Sequence, residues 1–332
     1  MNRRSLLIGA AAIAAPGAAQ GQGVLNDRLK GDISPVHDPC MIRQGATFHL
    51  FCTGSSPAAR GAIPWRTSTD LTTWTERAPA LEKLPDWAQR EIPEARGAWA
   101  PDIGLLNGRY HLYYAVSSFG KNHSVIGLMT TPTLDPQAAD FGWRDEGAVI
   151  RSSVRDDYNC IDPNLVVGDD GRAWLAFGSF WSGLKLVELD PATGRPRPDA
   201  PLHSLARRRT PDAIEAAFII RRGDWWYLFA AFDFCCRGVD SSYYTAVGRS
   251  KAVEGPYVDR EGHALMEGGG FLVLHAKLDP SGRFKGPGGA SILRDGGREF
   301  IVYHAYDSAN KGAPTLRIAR LGWSDDGWPV AV

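Results

Sequence analysis

Four acidic side chains recur at one place in the pattern of this 332-residue chain. Asp38, Asp102, Asp162 and Glu215 lie in His37-Asp38-Pro39, Ala100-Pro101-Asp102, Ile161-Asp162-Pro163 and Ile214-Glu215-Ala216, each six to nine residues ahead of a glycine (Gly45, Gly108, Gly171, Gly223). Carboxyl groups held close together raise one another's pKa, so one can keep its proton while another stays ionised at neutral pH. A general acid and a general base need that division. Asp-Pro also opens ordinary turns, but four acids in step with the same glycine point to a shared place in the fold. An acid such as Glu215, inside the apolar stretch 213–220, is costly to bury without a function or a partner.

The elements that must position these acids repeat five times. Each is a turn containing Gly followed by an alternating, aromatic-rich strand: residues 43–51, 106–114, 169–177, 221–229 and 295–303. Such a turn joins two strands as a hairpin, and alternation sends every second side chain to one face. The marker glycines Gly45, Gly108, Gly171, Gly223 and Gly297 are spaced 63, 63, 52 and 74 residues apart. Four-stranded units of that size predict an all-β fold, a five-bladed β-propeller with a central funnel. If each acid opens an innermost strand, all four face the axis at one end, as a ring of carboxylates. In the fifth unit the same place is Gly286-Pro287-Gly288-Gly289, without an acid.

Composition narrows the function. Lys+Arg and Asp+Glu number 37 each, for a net charge of zero, which excludes a strongly basic nucleic-acid or polybasic membrane binder. Apolar residues make 44%, with 11 Trp, 10 Tyr and 13 Phe, enough to build a core and to exclude general disorder. Residues 1–22 read as a cleavable signal: Arg3 and Arg4, the apolar run Leu6 to Ala15, then Pro16 and small residues. The run is too short to span a bilayer. Asn2-Arg3-Arg4-Ser5-Leu6-Leu7 resembles a twin-arginine signal, with an ordinary secretory signal as the alternative. Its removal leaves 35 basic against 37 acidic side chains in residues 23–332, expected as a single domain in the periplasm or outside the cell. Of the five cysteines (Cys40, Cys52, Cys160, Cys235, Cys236), none has zinc-site spacing. The adjacent Cys235-Cys236 either close a vicinal disulfide or stand as small apolar residues. No feature signals an oligomer, and a monomer is expected.

From about Val36 to Pro329 the chain resembles the arabinanases of glycoside hydrolase family 43. The resemblance rests on His37-Asp-Pro39, Trp99-Ala-Pro-Asp102, Ile161-Asp-Pro-Asn164, Gly178-Ser-Phe-Trp-Ser-Gly183, Ala213-Ile-Glu-Ala216, Cys235-Cys-Arg-Gly238, Val247-Gly-Arg-Ser250, Tyr303-His-Ala-Tyr-Asp307 and Asp326-Gly-Trp-Pro329. Each motif is weak alone; their order and spacing are specific. The resemblance implies inverting hydrolysis of α-1,5-linked arabinan, with arabinan or arabino-oligosaccharides as the partner. It implies Asp38 as general base, Glu215 as general acid, and Asp162 as the anion that raises the pKa of Glu215 and orients it. Inversion uses two carboxyl groups ~6.5–9.5 Å apart, a separation that different blades across a funnel can provide. His37, Trp99, Phe119, Asn164 and Ser179 match positions near the cleaved bond or along the sugar subsites, with Trp181 a weaker candidate. Trp174, Trp225, Trp226, Trp323 and Trp328 are expected to pack the blades.

Two features depart from the pattern. Family members carry Gly-Pro-Gly-His in the fifth blade, where the His helps hold a central metal, often calcium. Here that residue is Gly289. His304 is the alternative ligand considered, although a strand His more often sits in a core and calcium prefers oxygen. No cofactor is required for the chemistry, and a structural calcium stays open. Cys40, after His-Asp-Pro, is read as packing. The nearest rival readings within the fold are an exo-acting α-L-arabinofuranosidase and a β-xylosidase, with the 65–94 region as a wall that could block the cleft. The chain has no room for a second domain to close the groove, which favours endo action. A sugar-binding propeller without activity would lack a key carboxylate, and a retaining fructosyl transferase would hold its pair only ~5–5.5 Å apart.

Overall fold

The computed structural model describes residues 25–55 and 60–332. Five sheets succeed one another along the chain, as the repeat predicts. The first blade holds β1 (Lys30–Gly31), β2 (Cys40–Gln44), β3 (Thr47–Phe51), β4 (Trp65–Ser68) and β5 (Thr73–Glu76). A short helix, α1 (Asp86–Glu91), leads to the second blade: β6 (Trp99–Leu106), β7 (Arg109–Val116), β8 (Ser124–Thr131) and β9 (Arg144–Ser152). The third comprises β10 (Asn164–Val167), β11 (Ala173–Phe177), β12 (Leu184–Asp190), β13 (Arg195–Pro196) and β14 (His203–Ala206). The fourth runs from β15 (Ile214–Arg222) through β16 (Trp225–Phe232) and β17 (Tyr244–Ser250) to β18 (Phe271–Leu274). The fifth contains β19 (Phe284–Asp295), β20 (Arg298–Asp307), β21 (Ala313–Trp323) and β22 (Pro329–Ala331). Paired strands run antiparallel throughout except that β1 joins β5 in parallel, and in the third blade both β13 and β14 pair with β12.

The turns explain the hairpins. Between β6 and β7, Asn107 (φ 49) and Gly108 (φ 73) both take positive φ, the conformation whose twist suits a two-residue hairpin. Alternation then divides the side chains. Along β7, Tyr110, Leu112, Tyr114 and Val116 join the core shared with the first blade, while Tyr113 joins the core shared with the third. On β20, Phe300 and Val302 pack toward the first blade, and Ile301, Tyr303 and Ala305 toward the fourth. Both faces of each blade are buried, so the described residues form five cores, one at each blade junction. The fifth core closes the ring, and the N-terminal segment reinforces it: Val36 N–H donates to Pro314 O, and Leu316 N–H to Ile33 O, each at 2.9 Å. Trp174, Trp226 and Trp328 are buried in these cores, as expected. The 65–94 region builds outer strands and α1, with Leu84, Ala88 and Ile92 packed into the first junction. No described helix is long and apolar enough to cross a membrane. The signal segment 1–22 lies outside the described residues.

Candidate active site

The innermost strands β2, β6, β10, β15 and β19 share a local device that sets which acids reach the axis. On or just ahead of each of these strands a residue adopts positive φ: Asp38 (48), Ala100 (39), Asp162 (55), Ala216 (55) and Gly289 (56), with Gly286 (52) a second such residue on β19. Left-handed backbone is uncommon outside glycine and clusters at functional sites. Asp38, Ala100, Asp162, Ala216 and Gly289 surround a small axial cavity of about 30 Å³. Asp38 and Asp162 occupy the equivalent place in their blades, Glu215 stands one residue before it, and Asp102 stands two residues after it. The expected ring of four carboxylates is therefore a group of three. Asp102 Oδ2 instead accepts the Leu165 N–H at 2.7 Å and the Asn164 amide at 3.1 Å, clipping the second blade to the third. Burial pushes its pKa up to about 7 against these bonds.

Asp38, Asp162 and Glu215 face a cleft of about 430 Å³, a size typical of small-molecule sites. Asp38 is gripped on several sides. His37 Nδ1 and Thr53 Oγ1 each lie 2.7 Å from its Oδ2, and its N–H donates to His304 Nδ1 at 3.1 Å. Thr53 Oγ1 accepts the Ala100 N–H, which directs its hydrogen to Asp38. Burial opposes ionisation of Asp38, but His37, His304 and Thr53 outweigh it and hold the carboxyl far below the usual range. Burial also disfavours a charge on His37; Asp38 outweighs that and raises its pKa.

Glu215 is treated oppositely. Burial pushes its pKa up, and the charge of Asp38 adds to this, against hydrogen bonds from Ser179 (2.5 Å) and Tyr243. Asp162 is driven well above the carboxylate range by burial and by the charges of Glu215 and Asp38, although Ala216 N–H donates to it at 3.0 Å. The expectation of an Asp162 anion beside a protonated Glu215 is thereby changed: both carboxyls are pushed toward the protonated form, because a buried pair resists carrying two charges. One cleft thus holds a carboxyl pushed toward ionisation and two pushed toward the protonated form.

Aromatic groups complete the walls. Trp99, Phe119 and Trp181 line the cleft, with Phe119 80% and Trp181 37% exposed. Large apolar side chains left in solvent beside a polar centre offer flat surfaces to a ligand. His37 and Ser179 also line it. Asn164 does not. It is buried, its amide donating to Asp102 and its Oδ1 accepting Ile219 N–H at 2.8 Å, so it clips the third blade to the fourth. No residue of the 65–94 region lines the cleft, so the described part of that region forms no wall there. The sequence reading missed Thr53 and Tyr243, which lie on loops outside the acid motifs. A cleft-facing disulfide joins Cys235 and Cys236, in keeping with an oxidising compartment. Cys40 is a buried thiol, as the packing reading expected, and Cys52 and Cys160 are buried thiols too.

A calcium ion does not fit the residues at the axis. Gly289 offers no side-chain ligand, and a Cβ built there would lie 2.5 Å from Asp38 Oδ1 and 3.0 Å from His304 Nδ1. Nor does His304 replace the missing side chain. Its Nδ1 lone pair accepts the Asp38 N–H, which leaves the ring proton on Nε2, buried and without a partner. A protonated ring nitrogen cannot ligate.

The profile of glycosyl hydrolases family 43 matches residues 33–329. An extracellular endo-α-(1→5)-L-arabinanase of Bacillus subtilis is 41% identical over 318 residues, 95% of this chain and 91% of that protein. An extracellular exo-α-(1→5)-L-arabinofuranosidase of Cellvibrio japonicus is 41% identical over 306 residues, 89% and 85% of the two chains. The structure of a Cellvibrio cellulosa α-L-arabinanase complexed with arabinohexaose superposes with a TM-score of 0.83 at 40% identity, covering 91% of this chain and 96% of that one. Matched by that profile over nearly its whole length and 41% identical to a member over 95% of it, this chain belongs to glycosyl hydrolases family 43.

Proposed function

We propose that this chain is an exported hydrolase that cuts α-1,5-linked L-arabinan internally, with inversion at the anomeric carbon. The observation that carries the reading is the opposed state of two carboxyls in one aromatic-lined cleft, Asp38 held ionised and Glu215 held toward its proton. Asp38 takes a proton from water as the water oxygen bonds to the anomeric carbon. The bond from that carbon to the glycosidic oxygen breaks, and Glu215 gives its proton to the departing oxygen. Asp162 tunes and orients Glu215 through the Ala216 N–H, the residue that follows the acid. Ser179 and Tyr243 aim the Glu215 carboxyl. Trp99, Phe119, Trp181 and His37 contact the sugars. No cation takes part, and residues 1–22 direct export, as the extracellular relatives favour.

An exo-acting arabinofuranosidase is the second reading, favoured by the equal identity to a relative of that name. Products formed from linear α-1,5-arabinan by the mature protein, followed by chromatography, decide between them. An early ladder of mixed oligosaccharides supports internal cutting. Arabinose or one short product from the outset supports the exo reading, and no product from folded protein overturns both.

A further inference from the structure

The loop 233–243, between β16 and β17, touches the groups that hold both carboxyls. At its end Tyr243 gives its hydroxyl hydrogen to Glu215. At its middle is the Cys235–Cys236 bridge, where Cys236 takes left-handed backbone (φ 66). The Cys236 N–H donates to Tyr306 Oη at 2.8 Å. That oxygen lies 2.8 Å from His37 Nε2, and His37 Nδ1 lies 2.7 Å from Asp38 Oδ2. Three hydrogen bonds thus run from the bridge to Asp38. Tyr306 is 3% exposed and is not part of the cleft wall.

A phenol has one hydrogen and two lone pairs. With one lone pair taken by Cys236 N–H, Tyr306 donates to Nε2 of a neutral His37 or accepts from a protonated one. Either way the ring is oriented so that Nδ1–H meets Asp38. The other contacts of His37 are a long one from Nε2 to Cys236 Sγ, at 3.8 Å, and its stack on His304, with centroids 3.8 Å apart; a weak sulfur contact and a stack do little to stop the ring turning in its plane. Joining neighbouring sulfurs closes a small ring that holds the backbone of both residues, and with it the direction of the Cys236 N–H.

We propose that Tyr306 is a positioning residue for Asp38, and that the closed Cys235–Cys236 bridge keeps Tyr306 in place, so that turnover depends on the oxidised pair. This rests on Asp38 as the base. A misplaced base lowers the rate by up to ~10²-fold when the reacting atoms shift by ~1 Å.

The test compares kcat and KM of wild type and Tyr306→Phe, each before and after reduction by a water-soluble phosphine. The phosphine gains the oxygen of one water as its phosphine oxide, and the bridge gains two hydrogens as two thiols. Free thiols then rise from three to five. Tyr306→Phe should lower kcat ~10- to 100-fold with KM nearly unchanged, on arabinan and on aryl α-L-arabinofuranosides alike, because the base acts on water in both. Reduction should lower kcat of wild type comparably and add little to Tyr306→Phe, as expected of groups in one chain of contacts. Unchanged kcat in folded Tyr306→Phe overturns the proposal, as does an equal effect of reduction on both proteins. Should Tyr306→Phe not fold, the reduced wild type decides alone, and full kcat with five free thiols overturns the proposal. Turnover by Asp38→Asn would instead remove the base assignment; an inactive Asp38→Asn beside a normal Tyr306→Phe removes only this inference.

Discussion

Gly289 and Asp38 press together where the fifth blade meets the first: a Cβ on Gly289 would fall 2.5 Å from Asp38 Oδ1. The carboxylate fills the space that a side chain at position 289 would need, and His304 and His37 occupy its other sides. Hydrogen bonds thus surround Asp38 on the side where the fifth blade offers no side chain.

Exhaustive chelation should therefore leave kcat and Tm unchanged, and added calcium should not raise Tm, because an ion that binds only the folded state would stabilise it. Metal analysis of the purified protein should find substoichiometric calcium. One tightly held ion per chain, or a fall in Tm on chelation, would contradict the hydrogen-bonded arrangement.

Replacing Glu215 separates the acid from the base. Glu215→Ala should lower cleavage of arabinan by ~10²- to 10⁴-fold, yet largely spare aryl arabinofuranosides whose leaving groups depart without a proton. Comparable losses on both substrates, in a protein of unchanged Tm, would remove Glu215 from the role of acid.

Asp162 should show itself in the pH profile. Turnover falls as pH rises through the pKa of the acid, and Asp162 helps to keep that proton in place. Asp162 and Glu215 form a buried pair that resists carrying two charges; in Asp162→Asn no second charge can form, so Glu215 gives up its proton more readily and the basic limb moves to lower pH. The Ala216 N–H keeps an acceptor in the new amide oxygen. A basic limb that stays put would argue that Asp162 only orients.

Asp102 predicts a pH dependence of stability rather than of rate. Its pKa is about 7 in the fold against 3.8 unperturbed. The folded state therefore holds one more proton between these values, and this contribution to stability is lost as pH rises from ~4 through ~7. Asp102→Asn keeps an oxygen for Leu165 N–H and does not titrate. Its Tm relative to wild type should therefore increase from pH 4 to pH 8. A constant difference across that range would show Asp102 ionised in the fold.

The five blades are legible without coordinates because their signals are local. A glycine turn and a strand of period two, as in Asn107-Gly108 and Tyr110 to Val116, depend on neighbours in sequence. The family resemblance singled out the aromatics Trp99 and Phe119, and the same pattern singled out Asp38, Asp162 and Glu215. It could not separate Asp102 from them, because a left-handed residue on or just ahead of each innermost strand resets the phase, and two positions decide whether a carboxyl meets the cleft or the next blade. Asn164 was misplaced for the same reason. Thr53, Tyr243 and Tyr306 come from loops or strands distant in sequence, and which of them reaches which carboxyl depends on how the blades are packed around the axis. The sequence by itself determined the repeating unit and the chemical groups it carries; only the closed ring decided which of those groups meet, because hydrogen bonds and burial act across blades rather than along the chain.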